Sequence, residues 1–241
     1  MSDILEIDRF RSYFSKVTTF TIDDIVNFYS PNKPIVRETI KWRIHRLSKM
    51  GLIHNVGRGV YSLGQETIFI PQITKPRANV YKVIAQNYPY AEMCVWHTSS
   101  LNEFMLHQPG KFSLIVEVEK TAVESVFYFI KERYKDVFIN PKEDIVRNYI
   151  AGKKETIIVK TLISDAPIQS IYNIKTPTIE KILVDVFCDT AIFSAFQGHE
   201  KNIIFSNAFT KYTVNLSTLY RYAERRGKRI EIENYIQQII K

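Results

Sequence analysis

The sequence predicts an α+β protein: a small N-terminal module of three helices and a β-hairpin, followed by a larger region of mixed α/β structure. Three observations support this fold class. Apolar residues recur at helical spacing within the first 50 residues, two β-type runs flank a Gly-Arg-Gly tripeptide, and beyond Gly64 strand-like and helix-like runs alternate irregularly. We therefore expect two domains, residues 1–64 and 65–241.

Two helices are predicted before residue 30. The first spans residues 3–16, where the apolar positions fall close to helical spacing. The second begins after Thr21, whose hydroxyl can cap its first turn, and it runs over Ile22–Tyr29. It ends before Ser30-Pro31, because a residue that precedes proline avoids helical geometry. The turn SPNKP then leads into a third helix.

The third helix is predicted over residues 35–50. Ile40, Ile44 and Leu47 recur at i, i+4 and i+7, so they face the core, and Gly51 can end the helix. The runs LIHNV and VYSL then flank the Gly-Arg-Gly tripeptide as a hairpin. This order of helices and hairpin is that of a winged helix-turn-helix.

The positive charge of the chain is concentrated at its two ends. The net charge is +8, and residues 1–64 carry ten Lys/Arg against six Asp/Glu. Residues 65–150 carry ten of each, and residues 151–241 carry thirteen against nine. A local basic surplus favours an anionic partner.

The third helix and the hairpin tip are the predicted interface with double-stranded DNA. If the apolar stripe points inward, the cations fall on other faces, from which they can reach phosphates and base edges in the major groove. Glycines beside Arg58 let the backbone approach a phosphate closely. The predicted contacts are Arg37, Lys41, His45, Arg46, Lys49 and Arg58. The alternative is a solvated basic helix on a module that binds another protein.

A second cluster of cations lies near the C-terminus. It consists of Arg221, Arg225, Arg226, Lys228 and Arg229. It is predicted either as a second polyanion contact or as the end of a helix, where cations complement the helix dipole.

The elements of the larger region follow from apolar periodicity. Helices are predicted at 77–87, 97–106, 122–134, 177–187, 216–226 and 230–240, and strands at FSLIVEVE, VFIN, TIIVKTLI and IQSIYNI. Asp185 stands in the apolar helix KILVDVF, and we expect it to have a structural role, paired with a basic side chain or at the edge of the buried stripe.

Candidate catalytic residues are few, and none forms a complete motif. Glu117 and Glu119 could act in a metal-dependent nuclease, but the spacing to Lys120 does not fit an acid-x-Lys motif, and a solvated strand face is the alternative. Glu103 and His107, four apart on a predicted helix, could share a metal or be a surface pair. Glycine-rich nucleotide-binding motifs are absent from the sequence. We therefore expect no enzymatic activity, no metal and no cofactor.

The compartment follows from the termini and the cysteines. The start MSDILEIDRF lacks the basic and apolar parts of a signal peptide, and apolar runs are too short to span a membrane. Cys94 and Cys188 are far apart in apolar surroundings, which is typical of buried reduced thiols. These features predict a cytoplasmic protein without membrane contact.

Three stretches resemble the AbiEi family of bacterial antitoxin-type transcriptional regulators. They are RLSKMGLIHNVGRGVYSL at the end of the N-terminal module, TPTIEKILVDVF in the middle of the second half, and LYRYAERRGKR near the end. The resemblance implies a protein that represses its own operon and counteracts a nucleotidyltransferase-like toxin in a type IV toxin–antitoxin system of abortive infection. It also implies that Arg37, Lys41, His45 and Arg46 contact DNA from the recognition helix, and Arg58 from the wing.

Overall fold

The computed structural model of the chain describes residues 5–30, 36–64 and 67–239, which have a mixed α+β architecture. The strands in these residues form a three-stranded, a four-stranded and a two-stranded sheet. The predicted helix ends at residues 3–4, 35 and 240 and the turn at residues 31–34 lie outside the described residues.

The N-terminal part contains three helices and a small sheet in the predicted order. Its elements are α1 (Ile7–Phe14), β1 (Phe20–Thr21), α2 (Ile22–Tyr29), α3 (Arg37–Lys49), β2 (Ile53–Gly57) and β3 (Val60–Leu63). Strand β3 lies between β1 and β2 and pairs with both in the antiparallel sense. The predicted hairpin of β2 and β3 is therefore confirmed, with a third short strand beside it.

Thr21 holds the start of α2, as predicted. Its hydroxyl accepts the N–H of Asp24 at 3.2 Å, while the Asp24 carboxylate accepts the backbone N–H of Thr21 at 2.7 Å. Hydrogen bonds from the backbone and the hydroxyl of Thr21 lower the pKa of Asp24. This reciprocal pair satisfies two donors at the start of a helix.

Helix α3 buries its predicted apolar stripe. Ile40, Ile44 and Leu47 pack into one hydrophobic cluster with the aromatic side chains of α1 and α2. Two residues after the helix ends at Lys49, Gly51 adopts a φ of 67°, and the N–H of Leu52 donates to the carbonyl of Leu47 at 2.9 Å. This is the glycine-dependent end that the sequence predicts.

A four-stranded sheet forms the centre of the larger part. Its strands are β4 (Met93–His97), β5 (Phe112–Val118), β6 (Val137–Ile139) and β7 (Glu155–Thr161), in the spatial order β4-β5-β7-β6. Strands β4 and β5 are antiparallel, whereas β7 is parallel to both β5 and β6. The strands predicted at FSLIVEVE, VFIN and TIIVKTLI are confirmed.

Helices cover both faces of this sheet. On one face lie α4 (Lys75–Asn87) and α5 (Val123–Lys131), and on the other lie α6 (Ile179–Cys188), α7 (His199–Lys211), α8 (Leu216–Arg225) and α9 (Arg229–Ile239). Successive strand residues point to opposite faces. Glu117 on β5 and Lys160 on β7 therefore emerge beside Ile115 and Ile158, on the face that α6 covers.

Two predicted elements have a different form in the structure. IQSIYNI, predicted as one strand, forms a hairpin of β8 (Ile168–Ile171) and β9 (Ile174–Pro177). Tyr172 and Asn173 between them both have positive φ, as the tightest hairpin turns require. The helix predicted to start at His97 is a 3₁₀ helix over Thr98–Phe104, and His97 itself ends β4.

Other helical segments had no counterpart in the sequence predictions. Helix α7 is one, and the helical segment at Glu143–Ile145, which continues as a π-helical turn over Val146–Ile150, is another. A 3₁₀ turn also lies at Ser194–Phe196. Within the described residues, no helix combines the length and apolar character needed to cross a bilayer.

Candidate nucleic-acid interface

Helix α3 presents its cations away from the core. Arg37, Lys41, His45 and Lys49 are all exposed, whereas Arg46 is half-buried. The guanidinium of Arg46 lies 6.0 Å from the ring centroid of Trp42, which is 45% exposed. Four of the predicted α3 contacts are thus accessible to a partner in solution, and Arg46 is partly so.

Arg43 explains how α3 is held in this orientation. Its guanidinium lies 4.0 Å from the ring centroid of Tyr29 on α2, and the Tyr29 hydroxyl donates to the carbonyl of Leu5 at 2.7 Å. Burial raises the pKa of Tyr29 to about 12. The contact between the Arg43 guanidinium and the Tyr29 ring connects α2 and α3, which are the two helices of the predicted helix-turn-helix.

The hairpin places Arg58 at an exposed tip. Gly59 beside it has a φ of 72°, and a side chain there would meet Ile22 on α2. The backbone N–H of Arg58 donates to the Ser217 hydroxyl at 2.9 Å. The tip therefore rests against the first turn of α8 in the C-terminal part, while its guanidinium remains exposed.

A further hydrogen bond joins the hairpin to the C-terminal part. His54 Nε2 lies 3.2 Å from the hydroxyl of Thr213, and that hydroxyl also accepts the N–H of Thr67 at 3.0 Å. The contacts of His54 and of the Arg58 N–H hold the hairpin next to the start of α8.

The C-terminal cations are more dispersed than the sequence predicts. Arg225 pairs with Asp165 at 2.5 Å, Lys228 with Glu231 at 2.9 Å, and Arg229 with Glu224 at 3.0 Å. Arg221 is exposed and lies one helical turn beyond Ser217, on the same side of α8. Because one turn rises by about 5.4 Å, Arg221 is near the hairpin tip that carries Arg58.

Arg226 does not belong to an exposed cluster, which corrects the prediction for this residue. Its side chain is 11% exposed, and its guanidinium donates to Asp185 at 2.7 Å and to Asp189 at 2.5 Å. The pKa of Arg226 is raised, since these two carboxylates outweigh the opposing effect of burial. Its role is inside the fold.

Arg226 is part of a buried network of six charged side chains between α6, α8 and the sheet. Three are acids and three are bases, so their formal charges cancel: Glu117, Asp185, Asp189, Lys160, Lys181 and Arg226. Lys181 is fully buried, and its ammonium lies 2.5 Å from both Glu117 and Asp185. Lys160 pairs with Asp189 and lies 3.6 Å from Glu117.

The network shifts the pKa of Lys181 and of Asp185 in opposite directions. Burial alone would lower the pKa of Lys181, but Asp185 and Glu117 raise it well above its usual value. Burial alone would raise the pKa of Asp185, yet Lys181, Lys160 and Arg226 hold it below its usual value. The Tyr222 hydroxyl adds a hydrogen bond to Asp185 at 2.9 Å. Asp185 is therefore structural, as predicted.

Glu117 does not lie on a solvated strand face, contrary to the alternative considered above. Its carboxylate has no exposed surface and is held by two lysines. Glu119 lies beyond the end of β5 and is only half-buried. The two acids therefore do not form an open pair that could hold a metal ion against a nucleic-acid phosphate.

Glu103 and His107 also do not form a metal-binding pair on one helix. The 3₁₀ helix ends at Phe104, and the Glu103 carboxylate instead binds Lys211 and accepts the Tyr212 hydroxyl at 2.8 Å. In residues 5–30, 36–64 and 67–239, no three His, Cys, Asp or Glu side chains converge as metal ligands would. Cys94 and Cys188 are both free thiols.

The network includes residues that the sequence analysis did not single out: Lys160, Lys181 and Asp189. A signal was present for two of them, because Lys160 interrupts the apolar run TIIVKTLI and Lys181 stands four residues before Asp185. Charges at such positions in apolar elements indicate partners inside the fold.

Comparison with known proteins shows the family of this chain. Residues 39–241 match DUF6577, a family of unknown function, and since the match covers most of the sequence, the chain belongs to that family. No curated protein matches the sequence. The matched range includes most of α3, the hairpin and the whole charge network.

Proposed function

We propose that this member of the DUF6577 family is a DNA-binding transcriptional autoregulator and the antitoxin of a toxin–antitoxin system. The observation that supports DNA binding best is the division of α3 into two sides. Ile40, Ile44 and Leu47 are buried, while Arg37 and Lys41 are exposed on other faces. A helix of this kind can enter a major groove without disturbing its own core.

The proposed geometry is that of a winged helix-turn-helix. Helices α2 and α3 form the helix-turn-helix, with α3 as the recognition helix, and the hairpin of β2 and β3 is the wing. Arg58 at the tip of the wing then contacts the phosphate backbone. The order of elements and the exposed cations support this arrangement.

The antitoxin role rests on the resemblance of three stretches to the AbiEi family. In that role the partner is a nucleotidyltransferase-like toxin encoded nearby, which the protein neutralises either by direct contact or indirectly. A regulator of its own promoter works in the cytoplasm, where that promoter lies. We propose no catalytic activity and no cofactor or metal, because Glu117 is committed to Lys181 and Lys160.

A binding assay with the DNA upstream of this protein's own gene tests the proposal. Labelled duplex is titrated with wild type, with the double variant Arg37→Ala/Lys41→Ala, and with Lys82→Ala/Lys120→Ala as a control of equal charge change. The α3 variant should lose about 1–3 kcal/mol of binding free energy for each specific contact removed. The control variant should bind as wild type does, since its lysines are exposed elsewhere.

Salt dependence separates this function from protein binding. Phosphate contacts make affinity fall steeply as salt is added, whereas an apolar adaptor surface would respond little. A folded α3 variant that binds with unchanged affinity would reject α3 as the recognition helix. Absence of binding by the wild type to duplex DNA at low salt would reject the DNA-binding function as a whole.

A further inference from the structure

A second site, separate in sequence from α3 and the hairpin, lies at the end of the four-stranded sheet where β5 and β7 begin. It is a cleft of about 300 Å³, and Thr98, Ser113 and Thr156 line it beside the ends of the strands. The rest of its wall includes side chains of the π-helical turn over Val146–Ile150 and of the segment 192–196. Turns of this kind are frequent at functional sites. The volume of the cleft is at the small end of the range for small-molecule sites.

Thr98, Ser113 and Thr156 form a hydroxyl cluster that carries more protons than its protein partners accept. Thr98 Oγ1 accepts the backbone N–H of Ser113 at 2.9 Å, so its own proton is not used in that bond. The hydroxyls of Ser113 and Thr156 are 2.7 Å apart, and one of the two donates to the other. In the described part of the chain, two of the three O–H protons therefore have no acceptor, although Thr98 and Thr156 are each only 3% exposed. Buried donors of this kind favour an acceptor that enters the cleft.

The charged residues that line the cleft are both positive. They are Lys111 and Lys153, and among the described residues of the lining none is acidic. The ammonium of Lys153 pairs with Asp136 at 2.9 Å, which balances its charge. The ammonium of Lys111 donates to the backbone carbonyl of Ala151 at 2.8 Å, which is a neutral acceptor. Within residues 5–30, 36–64 and 67–239, the exposed side of the cleft thus carries one positive charge without a carboxylate in ion-pair contact.

We propose that this cleft binds a small organic acid through its carboxylate. The two carboxylate oxygens accept the free protons of the hydroxyl cluster and a hydrogen bond from the ammonium of Lys111. The unbalanced charge of Lys111 matches the single charge of a monocarboxylate. The apolar body of the acid packs against Ile150 and Phe196, which also line the cleft. The inference does not rest on the proposed DNA-binding function.

Benzoate is the probe, and two analogues separate charge from shape. Benzamide has the same ring with a neutral head group, whereas phenyl phosphate has a head group of higher negative charge. Full-length protein with ¹³C-labelled isoleucine methyl groups is titrated with each compound and followed by NMR, and the Ile150 signal is identified as the one that Ile150→Val removes. Saturable shifts of the Ile150 methyl group are expected with benzoate. Benzamide and phenyl phosphate should bind more weakly, because the first leaves the charge of Lys111 unbalanced and the second exceeds it.

Variants at and beside the cleft give opposite expected effects. Lys111→Met should weaken benzoate binding about tenfold or more, because a charge-assisted hydrogen bond is lost. Asp136→Asn should strengthen it, because the charge of Lys153 is then no longer balanced. Lys154→Met is the matched control and should bind benzoate as the wild type does, since Lys154 is exposed and does not line the cleft.

Three results would overturn the proposal. One is the absence of any saturable shift of the Ile150 methyl group with benzoate in the wild type. Another is a Lys111→Met protein that keeps the wild-type spectrum and binds benzoate with wild-type affinity. The third is binding of benzamide or phenyl phosphate as tight as that of benzoate, since the cleft would then not select a single negative charge. DNA binding is measured on the same samples, so failure at this cleft is distinguishable from failure at α3.

Discussion

The charge of Lys181 is shared by two buried carboxylates. Its ammonium lies between the carboxylates of Glu117 and Asp185, and none of the three side chains has more than 1% exposed surface. In such an environment an ion pair gains little over apolar packing, but a single member left without its partner is costly. Each member of the network therefore constrains the others.

Substitution of Lys181 by Met should strongly destabilise the protein. Met has a similar length but leaves two buried carboxylates without their common cation, which costs about 3–5 kcal/mol. Urea unfolding of wild type and Lys181→Met measures the loss, with Lys120→Met at an exposed position as the control. A loss in the interior variant no larger than in the control would contradict the role assigned to the network.

Asp185 gives the stability of the protein a defined dependence on pH. Its pKa in the folded state lies below the ordinary 3.8, so its contribution is fully present above that pH and is lost as the pH falls through the folded-state pKa. The stability difference between wild type and Asp185→Asn should be constant between about pH 7 and 5 and shrink below about pH 4. Urea unfolding at a series of pH values checks this, with exposed Asp144→Asn as control. A stability difference between wild type and Asp185→Asn that grows as the pH falls would contradict the lowered pKa of Asp185.

At the scale of elements, the backbone of the β2–β3 hairpin determines the exposure of the Arg58 side chain at its tip. The register shifts between Asn55 and Gly57, which bends the first strand before the tip. Gly59 takes the positive φ that the turn needs, close to Ile22. These features leave the guanidinium of Arg58 exposed while its backbone N–H is bound.

Arg58→Ala should reduce DNA affinity without changing sequence preference. One exposed cation that contacts phosphate has no means of distinguishing bases, so its loss should weaken all duplexes by a similar factor. The slope of log affinity against log salt concentration should fall in magnitude by about one unit. Parallel titrations with the upstream DNA and an unrelated duplex give both quantities. A loss confined to the upstream DNA would show that Arg58 reads bases.

At the scale of the whole molecule, the N-terminal and C-terminal parts meet where the hairpin rests on α8. Ser217 accepts the Arg58 N–H, and Arg221 follows one turn later with its side chain exposed. Arg221 thus lies one helical turn beyond the residue that the hairpin tip contacts. If the chain binds DNA as proposed, this geometry makes Arg221 the cation of α8 to test for a second phosphate contact.

Arg221→Glu tests whether α8 contributes to DNA binding. Arg225 is less suitable, because it already pairs with Asp165. If Arg221 faces phosphate, charge reversal should lower affinity for the upstream DNA about tenfold at low salt and less at high salt. Arg147→Glu, at another exposed cation, is the matched control.

Co-expression with the toxin that the proposed function requires separates the remaining outcomes of the Arg221→Glu experiment. Loss of protection with intact DNA binding would assign Arg221 to the antitoxin role alone. If a stable variant retains both DNA binding and protection, Arg221 is an ordinary solvated cation, and the predicted second polyanion contact is wrong for this residue.

The sequence by itself determined the helices and strands whose patterns are local. The stripe of Ile40, Ile44 and Leu47, the cap at Thr21 and the end at Gly51 each depend on neighbours within a few residues. For the same reason the exposure of Arg37 and Lys41 was predictable, since a helix with one buried face must present its others.

Only the tertiary structure decided which charged residues meet. Glu117 and Lys160 lie on different strands, and Arg226 is 41 residues from Asp185, so no local pattern distinguishes them from solvated charges. Arg226 and Arg225 are neighbours in sequence, yet one is committed to buried carboxylates while the other remains exposed. The environments of Arg225 and Arg226 differ because the packing of α8 against α6 sets the direction of each side chain. This packing brings together residues that are far apart in the chain.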